Sequence, residues 1–423
     1  MPNLIANLLP HLTAYRIPGV AGSGDSIHPG YGGRSISNLP ATICEMLDCP
    51  LPGGEPLSEK WREVIGGPYR QVILLLVDGL GLQFFENFIH ESPWSSWMEE
   101  GNLLPLTSIV PSTTSAALTS LWTGKTPVEH GILGYELWLK EFGMVGNMIF
   151  QSPAAFLGEI GALRRAGFQP ETFLPVDTLG PHFHRAGRDV IAFQHNSIAK
   201  SGLSQMLLKD VDVWGFRTVN DLWVSMQAWL ADHQHTPGYV YAYWGDIDEL
   251  SHRYGPNDER VFLEFASFSS LLNRFLLHLR ARGRGDSLFL MTADHGQIGT
   301  PRQEKYELRN HPELLDALIM QPTGENRLPY LAIHPGREEM VQNYLLQVLP
   351  GEFQMVCSTD LVNAGLFGNQ PACRQAGQRL GDWVLIPQDG AYLWWADRDN
   401  PLLGRHGGMS SGEMLVPLFA LRY

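Results

Sequence analysis

An α/β fold is predicted for this 423-residue chain: a doubly wound, mostly parallel sheet with an inserted α+β cap. Three observations predict it. Gln71–Val77 and Ser287–Met291 are continuously apolar rather than alternating, as strands covered on both faces must be. Segments of helical period separate such runs, the pattern of parallel strands with helices packed over them. Acids follow the strand ends, Asp78 and Asp294 among them, and open α/β sheets bind ligands beyond those ends.

Length and composition bound the answer. At 423 residues the chain exceeds most single cores, so one large domain with an insertion, or two domains, is expected. Hydrophobic residues at 44% and aromatics at 10% suit a globular enzyme and exclude a disordered chain. A balance of 30 basic against 44 acidic residues, net −14, argues against nucleic acid or an anionic membrane as partner. An anionic substrate must then be drawn by a local cation such as a metal. Cys44, Cys49, Cys357 and Cys373 lack the C-x-x-C spacing of zinc sites and read as reduced, mostly buried thiols. The N-terminal stretch has no basic leader, Pro10 interrupts its apolar run, and no 18-residue apolar segment occurs. A soluble cytoplasmic protein without signal peptide or membrane helix is therefore expected.

Residues 1–70, rich in Gly, Pro and Ser, are expected to wrap the core, with a short helix near Ile43–Leu47. The catalytic core is expected over 71–300. It opens with strand Gln71–Val77, followed by a helical pattern through Phe84, Phe85 and Phe88. A strand near Leu104–Val110 leads through Pro111 and Ser112 into a helix starting near Thr113. After an irregular region come strand Asp189–Gln194, a helix near Asn220–Leu230 and strand Tyr239–Tyr243. Helix Asp258–Leu279 then delivers the chain to Ser287–Met291. The cap is expected over 301–400, with strand Leu328–His334, helix Arg337–Val348 and strands Asp382–Ile386 and Tyr392–Trp395. Residues 401–423 return to the core: Ser410 and Glu413 have capping-box spacing, and Leu415–Leu421 is the final strand.

Asp294-His295-Gly296 is the stretch around which the rest is organised. Adjacent side chains on a straight strand point to opposite faces, so Asp294 and His295 meet on one ion only where the strand breaks into a turn. Gly296 supplies backbone freedom for that turn. Asp248 and His252, four apart, share a face over one helical turn. Thr114 lies in the first turn of a helix directly after a strand, where backbone N–H groups and the dipole favour anions. Ser112, Thr113 and Ser115 compete with it for the capping role, and its hydroxyl is a weak nucleophile unless a metal lowers its pKa. His406 precedes two glycines that permit close approach. Singly, each acid serves equally as a helix cap or turn former. Together they close a charge balance, with two divalent cations set against Asp78, Asp248, Asp294 and a Thr114 alkoxide. Mixed nitrogen and oxygen ligands suit zinc, with manganese as the alternative.

The order VDG, PSTTS…TGKTPVEHGI, DELSHRYGP, TADHG and RHGG resembles the alkaline phosphatase superfamily, and within it the type I phosphodiesterase/nucleotide pyrophosphatase family. These motifs lie in 71–300 and 404–423; residues 1–70 and 301–400 are not covered. The resemblance implies an alkaline-phosphatase-like fold in which Asp78, Thr114, Asp294 and His295 hold one metal and Asp248, His252 and His406 the other. It also selects Thr114 over Thr113, because the family's nucleophile stands nine residues before the threonine of a Thr-Gly pair, here Thr123-Gly124. The implied reaction has two steps, attack of Thr114 on phosphorus and hydrolysis of the phosphothreonine, on metals about 3.5–4 Å apart.

One departure stands out. Nucleotide pyrophosphatases of this type carry an asparagine shortly after the nucleophile that holds a phosphoryl oxygen, whereas Thr114 is followed by Ser115-Ala116-Ala117. Lys125, Asn147 and Asn196 are the candidate replacements, and Tyr135 and Trp138 are candidates for stacking on a base or aromatic leaving group. The expected activity is hydrolysis of a small phosphate ester or nucleotide. Diesterase or pyrophosphatase action is favoured over monoesterase, since no basic pair stands ready for a dianion. One rival is a phosphate mutase, because HGG-x-S-x-x-E-M-L-V-P-L resembles the end of cofactor-independent phosphoglycerate mutases, whose serine-nucleophile motif is absent here. The other is a metal-bound binding or regulatory module without turnover.

Overall fold

A computed structural model describes residues 4–20, 22, 24–155, 159–368 and 371–423. The central seven-stranded sheet runs Asn102–Thr107, Leu415–Arg422, Ser287–Thr292, Gln71–Val77, Gly238–Trp244, Asp189–His195, Asp212–Phe216. Neighbours pair in parallel except Leu415–Arg422, which is antiparallel to both partners. Every residue of Gln71–Val77 and Ser287–Thr292 is buried, which is why their apolar runs carry no alternation. The edge strand Asp212–Phe216 was not expected: of its residues Phe216 alone is buried, so backbone pairing rather than a hydrophobic pattern makes it a strand.

The expected helices form with small shifts at their ends. Thr113 is the N-cap of Thr114–Thr123. Thr218 caps Val219–Asp232 and Asp258 caps Glu259–Arg282, each side chain accepting a first-turn N–H. The face of Glu259–Arg282 carrying Val261, Phe265, Phe268, Leu272 and Phe275 is buried, and Trp244 stacks on Phe268 at 3.8 Å. Among the described residues, no helix is long and apolar enough to cross a membrane.

A second, antiparallel sheet forms the cap, in the order Phe353–Cys357, Trp383–Pro387, Leu328–Leu331, Thr323–Glu325, Glu136–Leu139, Met144–Asn147, Ser152–Pro153. It therefore draws strands from 136–153, a stretch expected to be irregular and part of the core. Strands of two to four residues offer too few positions for a period-two pattern to register. Strand Leu328–Leu331 is shorter than expected, and its side chains alternate between two cores: Tyr330 joins the main one and Leu331 the cap's own. The expected strand Tyr392–Trp395 does not form. Trp394 makes an isolated bridge to Glu307, and Tyr392, Leu393 and Trp394 fill the cap's core instead.

One buried ion pair joins cap to core. Arg327, in the turn between Thr323–Glu325 and Leu328–Leu331, donates to Glu413 at 3.0 and 2.7 Å, and both are essentially unexposed. Glu413 also accepts from the backbone N–H groups of Gly408 (2.9 Å) and Ser410 (3.2 Å), closing the capping box at Ser410. Burial alone would raise this carboxyl, but Arg327 and the hydrogen bonds hold it below the usual carboxylate range. Its contribution to stability is present above the unfolded-state value of about 4.3 and is lost as pH falls through the depressed folded value. Glu413→Ala is expected to destabilise the protein by about 3–5 kcal/mol at pH 7, since Arg327 is left buried and unpaired. Urea unfolding of both proteins measures this, and the gap should narrow below about pH 4.

Candidate metal centre

The site lies beyond the carboxyl ends of the central strands, where the parallel topology gathers residues distant in sequence. Asp78 follows strand Gln71–Val77, and Asp294 and His295 follow Ser287–Thr292. Asp248 and His252 lie in helix Asp246–Tyr254, which follows Gly238–Trp244. Thr114 opens helix Thr114–Thr123, and His406 follows the short strand Gly404–Arg405. The structure brings these seven residues into one cluster. Thr114 Oγ1 lies 3.4 Å from Asp78 Oδ2 and 3.2 Å from His295 Nε2. His295 Nε2 is 3.5 Å from Asp78 Oδ1 and 3.4 Å from Asp294 Oδ2. Asp248 stands between His252 Nε2 at 3.4 Å and His406 Nε2 at 3.7 Å. The rings of His295 and His406 stack at 3.7 Å, so His295 reaches both groups of acids.

Each imidazole is oriented in the same way. Nδ1 faces a backbone carbonyl in all three: Gly404 for His252 (2.9 Å), Gly296 for His295 (3.1 Å) and Ser112 for His406 (2.9 Å). A carbonyl only accepts, so Nδ1 carries the proton and the Nε2 lone pair is left for a cation. The competing hydroxyls turn elsewhere. Ser112 Oγ donates to Gly408 O at 2.8 Å and Ser115 Oγ to Gly134 O at 3.0 Å, while Thr113 bonds Glu325.

Asp78 and Asp294 are 2% and 0% exposed, and Asp78 Oδ1 and Asp294 Oδ2 have no hydrogen-bond partner among the described residues. Asp294 Oδ1 is held by the N–H groups of Gly79 (3.2 Å) and His295 (3.0 Å). Burial, and then the neighbouring acids Asp294 and Asp248, push Asp78 well above the carboxylate range. Burial likewise raises Asp294, against the opposing pull of His295, and lowers His406, with His295 and His252 adding to the effect. Orphaned buried carboxylate oxygens beside unprotonated Nε2 atoms fit a divalent cation, which would satisfy both at once.

Several residues were missed from the sequence. Tyr243 donates to Asp78 Oδ2, and Gln297 bonds the Asp248 carboxylate and carbonyl. Each flanks a motif, Tyr243 at the end of its strand and Gln297 directly after Asp294-His295-Gly296; spacing alone does not mark either one. Gly296 is required for a different reason than expected. Its backbone is not left-handed; a Cβ there would sit 2.2 Å from Gly412 O and 2.7 Å from Gly81 Cα. A cleft of about 340 Å³ opens onto the cluster, lined by Tyr135, Phe150 and Trp395 and by Glu136, Glu325 and Arg398. Burial raises Glu325 to about 8 and also raises Glu136. Of the three candidate phosphoryl donors, Asn147 is the nearest, touching Tyr135, but its Oδ1 caps the N–H groups of Ile149 and Phe150. Lys125 Nζ bonds Gly53 O at 2.9 Å in a separate small cleft, and Asn196 sits at the sheet edge beside Gly215. Neither lines the main cleft, nor does Trp138.

A doubly wound sheet with clustered carboxylates and imidazoles at its ligand-binding end has the build of a metal-dependent hydrolase. The chain belongs to the type I phosphodiesterase/nucleotide pyrophosphatase family, whose model matches residues 72–409. It is a phosphoric ester hydrolase of the phosphodiesterase/pyrophosphatase type. Among solved structures, the chain is similar to murine ectonucleotide pyrophosphatase/phosphodiesterase 5 (TM-score 0.61, 15% identity, covering 82% of this chain and 87% of that one). It is also similar to phosphonoacetate hydrolase from Sinorhizobium meliloti 1021 in complex with phosphonoformate (TM-score 0.60, 18% identity, 84% and 90% covered). Comparison with curated proteins gives no significant match.

If the orphaned carboxylates are metal ligands, stripping divalent cations should destabilise the wild-type protein by about 3–4 kcal/mol relative to saturating metal. Asp78→Asn should lose most of that difference while its metal-free form melts no lower, because a like-charge contact is gone. Thermal unfolding with and without chelator measures both. An unchanged wild-type midpoint would count against the assignment.

Proposed function

We propose that this enzyme hydrolyses phosphodiesters or pyrophosphates with two divalent cations, zinc or else manganese, through a phosphothreonine at Thr114. The observation that carries the reading is the position of Thr114 Oγ1, within 3.4 Å of both Asp78 and His295 at the floor of the cleft. In the reading, Asp78, Thr114, Asp294 and His295 hold one cation, and Asp248, His252 and His406 the other. The cations supply charge neutralisation, acidify the Thr114 hydroxyl and stabilise the departing oxygen.

The chain's own residues do the rest. Asp294 is locked by two N–H groups, and the Nδ1 contacts fix the three imidazoles, so the ligands are preorganised. Thr114 Oγ attacks phosphorus in line with the leaving ester oxygen, at the positive end of a ten-residue helix. Water then cleaves the phosphothreonine and restores the hydroxyl. An inactive threonine-to-alanine variant of the murine protein was solved with AMP, which supports both the threonine and a nucleotide-sized ligand.

A diester is favoured over a monoester by charge. Among the described residues, no free basic pair lines the cleft for a dianion: Arg405 is committed to Thr300 and Asn400, which leaves Arg398 to face it, so a singly charged diester is the better match. Tyr135, Phe150 and Trp395 offer faces to a base or aryl group. A cytoplasmic setting is supported by four cysteines that are free thiols.

Thr114→Ala should lower kcat by roughly 10³-fold or more with the metal content unchanged. Retained turnover would point to direct attack by water. For the wild type, kcat/KM for a bis-aryl phosphate should exceed that for a mono-aryl phosphate by roughly tenfold or more, each tenfold being about 1.4 kcal/mol in the transition state. The opposite order would make the enzyme a monoesterase.

A further inference from the structure

Outside the catalytic cleft, Cys44, Cys49 and His182 bring three donor atoms within 4.8 Å of one another. Helix Leu39–Met46 ends in a backbone turn that sets the thiols side by side. Asp48 takes a left-handed conformation (φ 53°), its N–H bonds Glu45 O at 3.1 Å, and the N–H of Cys49 bonds Cys44 O at 2.9 Å. This closure brings the residue in the last helical turn against the one just beyond the end. His182 reaches over from helix Leu179–Arg185, with Nε2 2.8 Å from Cys49 O. The carbonyl only accepts, so Nε2 is protonated as it stands, and the ring must release this hydrogen bond or turn over before it can offer a lone pair to a cation.

We propose that Cys44, Cys49 and His182 form a binding site for one thiophilic divalent cation of the zinc class, supplying three of its four ligands. Two thiolates and an imidazole are three of the four ligands of a tetrahedral zinc site, and sulfur donors select zinc over magnesium or calcium. Both thiols are free, with Cys44 0% and Cys49 6% exposed. The hydrogen bond between the thiols and burial push Cys44 well up, while that bond and Arg188 hold Cys49 below its ordinary range, so Cys49 is the thiolate at hand and Cys44 must give up its proton on binding. A ready thiolate is what a cation requires. Arg188 is itself anchored on Leu47 O (2.8 Å) and Asp48 O (3.2 Å), so the positive group facing Cys49 is built in. On binding, the thiol protons leave to solvent and the cation staples the segment before the first central strand to helix Leu179–Arg185. The C-x₄-C pair has no second ligand pair near it, and the third ligand stands far away in sequence, so the sequence does not reveal the site.

Cobalt(II) tests this directly on the full chain with its thiols reduced. The catalytic ligands are nitrogen and oxygen, so a thiolate-to-cobalt charge-transfer band in the near ultraviolet reports the cysteine site alone, whatever metal the cleft holds. One equivalent beyond the cobalt taken up by the cleft should saturate that band. It should disappear in Cys49→Ser and weaken in His182→Ala, while diester hydrolysis is unchanged in both. No band in the wild type, or a band that survives Cys49→Ser, overturns the proposal. If the serine variant does not fold, the wild-type titration and His182→Ala still decide.

Discussion

Two carboxylates without counter-charge dictate the terms of this molecule. Asp78 and Asp294 stand at the ends of adjacent central strands, buried, each with one oxygen that nothing in the described chain satisfies. Such a pair costs several kcal/mol unless a cation or protons neutralise it. The fold makes no effort to relieve it: Gly79 and His295 fix Asp294 in place, and Tyr243 fixes Asp78. The strain of holding like charges together is the physical basis of a cation site, and the imidazoles turned lone pair inward complete it.

The second sheet is tied to that centre rather than merely placed over it. Arg327 comes from the cap and Glu413 from the return to the core, and their bidentate pair also anchors the N–H groups of Gly408 and Ser410. His406 sits two residues before Gly408, so the same carboxylate that secures the cap positions a ligand candidate. Glu325, two residues before Arg327, bonds the N–H of Tyr135 and so joins cleft wall to cap. The aromatic and acidic side chains of the cleft therefore belong largely to the cap, while the ligand candidates stand on the strands and helices of the core.

The ligand candidates were legible because each sits at a place where chain grammar changes: an acid directly after an apolar run, an Asp-x-x-x-His on one helical face, a hydroxyl at a helix start. Cleft residues were not. Lys125 and Asn196 had the right chemistry near loops, but a loop position says nothing about which cleft it faces, and each is committed elsewhere. Glu136 and Glu325 carried no signal, because strands this short show no periodicity and their pairing joins segments far apart in sequence.

Local chemistry was enough to establish the parallel core, the acids at its strand ends, the capping box at Ser410 and the expectation of a metal. These depend on runs and spacings of a few residues. The make-up of the second sheet, the reach of His295 to both acid groups, the dedication of Ser112 and Ser115 to backbone carbonyls, and the meeting of Cys44 and Cys49 with His182 had to await the folded chain. Each is a contact between segments distant in sequence. Long-range packing sets such contacts, and no local pattern encodes them.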